Sequence, residues 1–287
     1  MKRATLAGLR LALGVGLLNL CLLNIGLLSA GSVMATERLL ETERTDPLQP
    51  ATLALLQGDN LHGWQSLQQA WPALNSDAER RSWQGMLAAL SAQHCGKDFP
   101  LTLPDGVGEL RLELIQRDAP LLRDYRVQLT GEGPITAAEL IDPAGRNRLA
   151  GAQWETEGNK GVRVVGADLP TPLPAGLYQL QLDVAGKRWQ VALPLPAVQD
   201  LDWLSRSPQA VANPPANPAS CTPLWLDQAV LARPQYSLLW WHRIAPDEPV
   251  SWPAVTPDSW RTLSLVQTSQ RGQLVLQLSH SQAGPVD

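Results

Sequence analysis

Phenylalanine is nearly absent from this sequence: one Phe and three Tyr stand beside eleven Trp and three Met. Packing therefore has to rely on Leu, Val and Trp, and an indole carries an N–H that seeks a partner when buried. Lysine is also scarce, confined to Lys2, Lys97, Lys160 and Lys187, in a chain of formal net charge −4. This excludes the basic surface that binds nucleic acid by counterion release, and a polybasic patch for anionic lipid. Histidine occurs only at His62, His94, His242 and His280, each far from the others along the chain. There is no Gly-x-Ser-x-Gly elbow, no His-Glu-x-x-His and no phosphate loop. The acidic pairs Glu155 with Glu157 and Asp247 with Glu248 fall on stretches between strands, where carboxylates are ordinarily solvated. The expectation is a non-enzymatic protein with no cofactor and no metal site. A zinc site from His94, Cys95, Cys221 and His242 matches no standard ligand spacing.

Long apolar runs are missing except for one, Leu11 to Leu28. Lys2, Arg3 and Arg10 precede or open it, and Ser29-Ala30-Gly31-Ser32-Val33-Met34-Ala35 follows, with Val33 and Ala35 at the two positions that set a cleavage point. This reads as a secretory signal peptide, residues 1–35, cut after Ala35. Two other readings are a retained N-terminal anchor, since about 20 apolar residues span a bilayer, and a lipoprotein signal at Cys21. Leu20 is too bulky for the latter, and the apolar run continues past the cysteine. Cleavage removes three cations and no acid, taking the net charge from −4 to −7. Periplasmic localisation or secretion is expected, with no transmembrane segment left after cleavage.

Cys95 and Cys221 remain after cleavage. An even count in an oxidising compartment predicts a disulfide between them. Their Cα atoms must then lie within about 7 Å, so the N-terminal part must dock against the chain near residue 221. Two free buried thiols are the alternative.

The predicted fold class is α+β, mainly β, in three parts. Residues 36–98 form a small helical bundle. Gly58 and Pro72 interrupt its helices, Ser76 with Glu79 makes a capping box, Gly96 supplies a stop, and Trp64, Trp71 and Trp83 lie in the core. Residues 99–198 form an antiparallel sandwich. Leu110-Leu112-Leu114, Tyr125-Val127-Leu129, Tyr178-Leu180-Leu182 and Trp189-Val191-Leu193 alternate with polar residues at period two. Turns are expected at Asp142-Pro143-Ala144-Gly145, Glu157-Gly158-Asn159-Lys160 and Ala185-Gly186. Residues 199–223, with Pro208, Pro214, Pro215, Pro218 and Pro223, are a stiff linker. Residues 224–287 form a Trp-rich β region. It contains an apolar strand from Tyr236 to Ile244 and a hairpin around Arg271-Gly272, in which Leu263 and Leu265 face Leu274, Leu276 and Leu278. Gln282–Asp287 is expected to be a loose tail.

Two resemblances add to this reading. Pro174-Ala175-Gly176-Leu177-Tyr178 is similar to the Pro-x-Gly-x-Tyr start of a strand in bacterial immunoglobulin-like domains. That implies an immunoglobulin-like sandwich and a tyrosine whose hydroxyl bonds back to the main chain. The signal peptide, the helical region ending in His94-Cys95-Gly96-Lys97-Asp98 and the β region after it resemble an uncharacterised family of periplasmic proteins from marine and aquatic gammaproteobacteria. Cys-Gly-x-Asp at the helix–strand junction is the shared pattern. That family is associated with envelope-sensing two-component systems, so the resemblance implies a cell-envelope stress role and assigns no catalytic residue.

Tryptophan decides what remains. Trp189 and Trp240 fill core positions. Neighbours on a strand face opposite ways, so Trp240 and Trp241 cannot both point inward unless both sheet faces are covered. Trp241 is thus a candidate for a partner surface, and Trp252 and Trp260, set among prolines and charges, are candidates with it. The leading expectation is a protein-interaction or sensor-accessory role with an envelope protein as partner. The alternative is binding of cell-wall glycan or peptidoglycan through exposed tryptophans, and the third is an enzyme with an unrecognised site. A flat apolar patch favours the first, coplanar tryptophans in a groove the second, and a cleft gathering His242 with Asp247 or Glu248 the third.

Overall fold

The computed structural model describes residues 46–119, 122–158, 161–197, 221–222, 224–244, 248, 251–254 and 258–285. The expected signal segment and nearly all of the Pro-rich stretch lie outside the described residues.

Helix α1 (Gln49–Gln57) has proline in its first turn and ends on Gly58, whose φ of 72° lets its N–H reach back to the last carbonyls. Helix α2 (Asn60–Ala70) is capped by the Asp59 carboxylate, which accepts from the His62 N–H. A 3₁₀ turn at Trp71–Ala73 holds Pro72. The expected capping box opens α3 (Asp77–Ala92): the Glu79 N–H donates to Ser76 Oγ at 3.2 Å, and Glu79 Oε2 accepts from the Ser76 N–H at 2.8 Å. The helix stops at Ala92, short of the expected Gly96. His94, Cys95 and Gly96 have φ of 47°, 57° and 75°, a left-handed turn that no α-helix can run through.

The strands are β1 (Leu110–Ala119), β2 (Leu122–Glu132), β3 (Ile135–Ile141), β4 (Gln153–Glu157), β5 (Gly161–Val165), β6 (Gly176–Val184), β7 (Lys187–Leu195), β8 (Trp225–Ala232), β9 (Ser237–Ile244), β10 (Ser259–Arg271) and β11 (Leu274–Pro285). The class is α+β, mainly β. The period-two residues do face inward: Leu110, Leu112 and Leu114 are buried on β1 while their neighbours are not. Ala185 and Gly186, both at positive φ, make the two-residue β6–β7 turn. The Tyr178 hydroxyl donates to the Pro174 carbonyl at 2.8 Å.

The strands join into an eight-stranded sheet, ordered β4-β5-β2-β1-β11-β10-β8-β9, and a three-stranded sheet, ordered β3-β6-β7. Within residues 99–198 the strand pairings are antiparallel, as expected. The C-terminal strands join the same large sheet: β11 lies parallel to β1, pairing Leu110 with Leu274 and Leu112 with Leu276, so the last strands extend the sheet that β1 and β2 begin. Two expectations need correcting. First, Leu263 and Leu265 do not face Leu274–Leu278. They pair with Gln282 and His280, because the turn falls at Gly272-Gln273 and the two strands run 13 and 12 residues. Second, residues 282–285 are no tail but the end of β11, hydrogen-bonded to β10.

The helices do not enclose a bundle core of their own. One apolar cluster runs from Trp64, Leu67, Trp83 and Leu87 through Leu112, Leu129 and Leu276 to Leu140, Leu180 and Leu193, joining helices and both sheets. Each fully buried leucine contributes about 2 kcal/mol. The Trp83 indole N–H is satisfied by the Leu67 carbonyl at 2.8 Å, and Trp71 packs edge-on against it with ring centroids 4.7 Å apart.

Cys95 and Cys221 are joined by a disulfide, with Cα atoms 4.8 Å apart. It lies beside a junction of three parts of the chain. The Gly272 N–H donates to the Gly96 carbonyl and the Gln273 N–H to the Leu101 carbonyl. Arg271, 1% exposed, donates from Nε to the Pro194 carbonyl and from Nη1 to the Gln270 carbonyl, with its guanidinium 5.3 Å from the Trp64 ring centroid. A Cβ at position 96 would lie 2.1 Å from the Gln270 carbonyl oxygen. Gly96 is therefore required for close approach as well as for its φ. Asp98 Oδ2 accepts from the Asn60 amide at 2.8 Å and lies 2.7 Å from His94 Nδ1. The His94–Asp98 pattern thus has a structural explanation in this turn.

The β3–β4 connection is organised by Asp142, whose side chain is 1% exposed. Oδ1 accepts from the Ala144 and Arg146 N–H groups, and Oδ2 from the Arg146 and Arg148 guanidiniums. Burial by itself raises this carboxyl, but the Arg146 N–H and the two guanidiniums outweigh it and hold the group below the usual carboxylate range. A carboxyl depressed in the folded state adds stability above its unfolded value near pH ~4 and loses it as the pH falls further. Asp142→Asn is expected to cost about 2 kcal/mol at pH 7. Urea melts at pH 7 and pH 3 should show the gap between variant and parent narrowing at the lower pH; a constant gap would contradict this account.

Candidate functional site

Strands β8, β9 and β10 form one end of the large sheet, and their registers sort the side chains onto two faces. On the inner face Leu226, Ile244, Leu263 and Leu265 make a second apolar cluster, against which Trp252 packs. Trp240, opposite Val230 in the ladder, belongs to this face, and its ring centroid lies 6.3 Å from that of Trp252. The Arg261 guanidinium sits 5.3 Å from the Trp252 centroid. Between the two apolar clusters the face turns polar: His280 Nε2 lies 2.7 Å from Asp118 Oδ2, and Gln228 is fully buried.

The outer face carries Trp225, Trp241 and Trp260. Arg243 ties it together. Its guanidinium is 4.8 Å from the Trp225 ring centroid and 5.5 Å from that of Trp241, and it makes two bonds to the Asp227 carboxylate at 2.9 and 3.3 Å. The hydrogen bonds to Asp227 raise the Arg243 pKa further. Arg233 lies 5.8 Å from the Trp260 centroid, and Tyr236 meets Trp260 edge-on at 5.6 Å.

Of the three tryptophans singled out from the sequence, Trp241 is 51% exposed, Trp260 is half-buried on the same face, and Trp252 is half-buried on the opposite one. They do not converge. What surrounds Trp241 instead is apolar side chain from its own strand and turn: Tyr236, Leu238 and Leu239 are 48%, 62% and 57% exposed. β9 ends the sheet order, and its ladder to β8 slips between Val230 and Leu231, so that Trp240 and Leu238 are paired and Leu239 is the extra residue of a bulge. Sequence reasoning missed the leucines and Arg243. The available signal was the run Leu238-Leu239-Trp240-Trp241, which lacks the polar alternation of a strand with one wet face.

His242 Nε2 lies 2.8 Å from Glu248 Oε1, with both side chains 40% exposed, so this pair stands open at the sheet edge rather than in a cleft. Among the described residues no group of three His, Cys, Asp or Glu side chains gathers to hold a metal ion, and no helix is long and apolar enough to cross a membrane. A search of curated proteins found no match. A family model described as "Protein of unknown function (DUF2861)" matches residues 43–283, covering helices and both sheets alike, and on that match the chain belongs to the DUF2861 family.

Proposed function

We propose that this protein is a non-enzymatic component of the cell envelope that binds a protein partner through the edge and outer face of β9. The observation that carries the reading is the contiguous exposure of Tyr236, Leu238, Leu239 and Trp241 on an edge strand. An edge strand with large apolar side chains in water is ordinarily selected against unless something covers it. Its bulge discourages indiscriminate pairing with other strands and leaves the side chains as the recognition element. The signal-peptide pattern and the Cys95–Cys221 bridge support an extracytoplasmic setting, and a sensor domain of the envelope is the partner class suggested by the family resemblance.

Glycan binding is the weaker reading. A sugar ring stacks on an open indole face, whereas Arg243 lies over Trp225 and Trp241 and Arg233 over Trp260.

The test is in-cell photocrosslinking from positions 238 and 241, each replaced singly by a photoreactive residue, followed by mass spectrometry. One and the same protein captured from both positions, and lost when the other position is also changed to serine, is the expected result. Thermal stability should stay within about 0.5 kcal/mol of the parent, as for other exposed substitutions. Muropeptide adducts without protein, or no adduct at all, would overturn the reading.

A further inference from the structure

A concave surface lies between the first turns of α3 and the β3–β4 turn, lined by none of the β9 residues. Its lining includes the rings of Trp71, Pro143 and Pro174 and the guanidinium side chains of Arg80, Arg81 and Arg146. Two of these rings are held in place. Trp71 is braced edge-on by Trp83, and Gly176 lets Trp71 and Pro143 come so near that a Cβ there would lie 3.0 Å from the indole and 2.8 Å from the proline ring.

The charge of this groove runs against that of the chain. Two acids line it, Asp77 and Asp142. Asp142 is saturated by Arg146 and Arg148 together, one carboxylate against two guanidiniums. Arg146 spends only Nε on that carboxylate, and its side chain is 64% exposed. Arg80 and Arg81 are exposed and have no ion-pair partner among the described residues. Nearby Glu79 is occupied in the capping box. A net positive groove thus persists in a chain of net charge −4.

We infer that this groove binds an extended acidic peptide segment of another protein. Proline rings beside an indole suit a polyproline-like backbone, whose ordering cost is already low. Guanidinium forks suit carboxylates, which they take two N–H groups at a time. Charge complementarity selects the acidic sequence, and the ring side chains favour an extended chain over a helix. The inference rests on residues that the β9 surface does not use.

The test is fluorescence anisotropy with the full-length mature chain and a fluorescein-labelled peptide of repeating Glu-Pro-Asp, alongside its Gln-Pro-Asn counterpart and a carboxylated sugar polymer, oligogalacturonate. Saturable binding of the acidic peptide is expected, about tenfold tighter than the neutral one and weakened by salt. The double reversal Arg80→Glu with Arg81→Glu should reduce it about tenfold, and the milder Arg81→Gln several-fold, with unchanged melting. Leu238→Ser with Trp241→Ser should leave it unaffected, which separates this groove from the β9 surface. No saturable binding, binding indifferent to charge reversal, or oligogalacturonate bound more tightly than the peptide would each overturn the inference.

Discussion

Breaking the Cys95–Cys221 bridge is expected to produce a substantial loss of stability in this protein. The two cysteines are 126 residues apart, and a cross-link over a loop of that length removes unfolded-state entropy worth up to about 5 kcal/mol. Part of this is offset in the folded state. His94 and Cys95 sit in the left-handed region, at a cost of roughly 1–2 kcal/mol each for residues with a Cβ, and the turn is free to relax once the bridge is gone. The Gly272-to-Gly96 hydrogen bond and the Asp98 contacts would still hold the neighbourhood together. For Cys221→Ser the melting temperature should fall by about 10 °C. The parent in reductant should melt where the variant does, and the variant should be indifferent to reductant. A variant that melts within about 2 °C of the oxidised parent would show that the bridge joins parts already fixed by other contacts in the unfolded ensemble.

Arg271→Ala is the second large effect. The guanidinium is buried against Trp64, its hydrogen bonds among the described residues go to main-chain carbonyls, and burial pushes its pKa down to about 10. Alanine removes a long side chain from the junction of α2, β7 and β10. It leaves a cavity beside Trp64 and takes away the donor that satisfied the Pro194 carbonyl. Cavity and lost hydrogen bond together amount to about 4 kcal/mol. Arg271→Met separates the two causes, since it fills most of the volume without a charge that must be kept out of water. Replacing a buried ion by an apolar group of similar size is often close to neutral, so methionine should recover at least half of the loss in urea unfolding. Equal losses for both variants would mean that the hydrogen bond to Pro194 dominates, and losses below about 1 kcal/mol for both would deny Arg271 any role as a tie.

Much of the local structure was legible in the residues. Ser76 and Glu79 mark the start of α3 because capping is a contact between residues three apart, and Gly58 ends α1 because only its own φ is at issue. Alternation located β1, β2, β6 and β7 for the same reason: which face a side chain takes is set by the pleat. The site was less legible. Alternation identified Trp241 as the outward member of the Trp240-Trp241 pair, but it could not tell which face Trp252 takes. Trp252 reaches the inner face from outside any strand, and no period applies there.

The sequence by itself determined the helix boundaries set by caps and the inward faces of the strands, both consequences of local geometry, and it suggested the pairing of Cys95 with Cys221 that the structure contains. Only the tertiary structure decided that β11 lies parallel to β1, that β9 is left at an edge with its leucines exposed, that Arg271 is buried, and that Arg80 and Arg81 share a groove with Arg146. These depend on which distant segments become neighbours. A strand pattern states that a face must be buried, not against what. That choice is made by the joint packing of the helices and both sheets into one core, after the chain between them has closed.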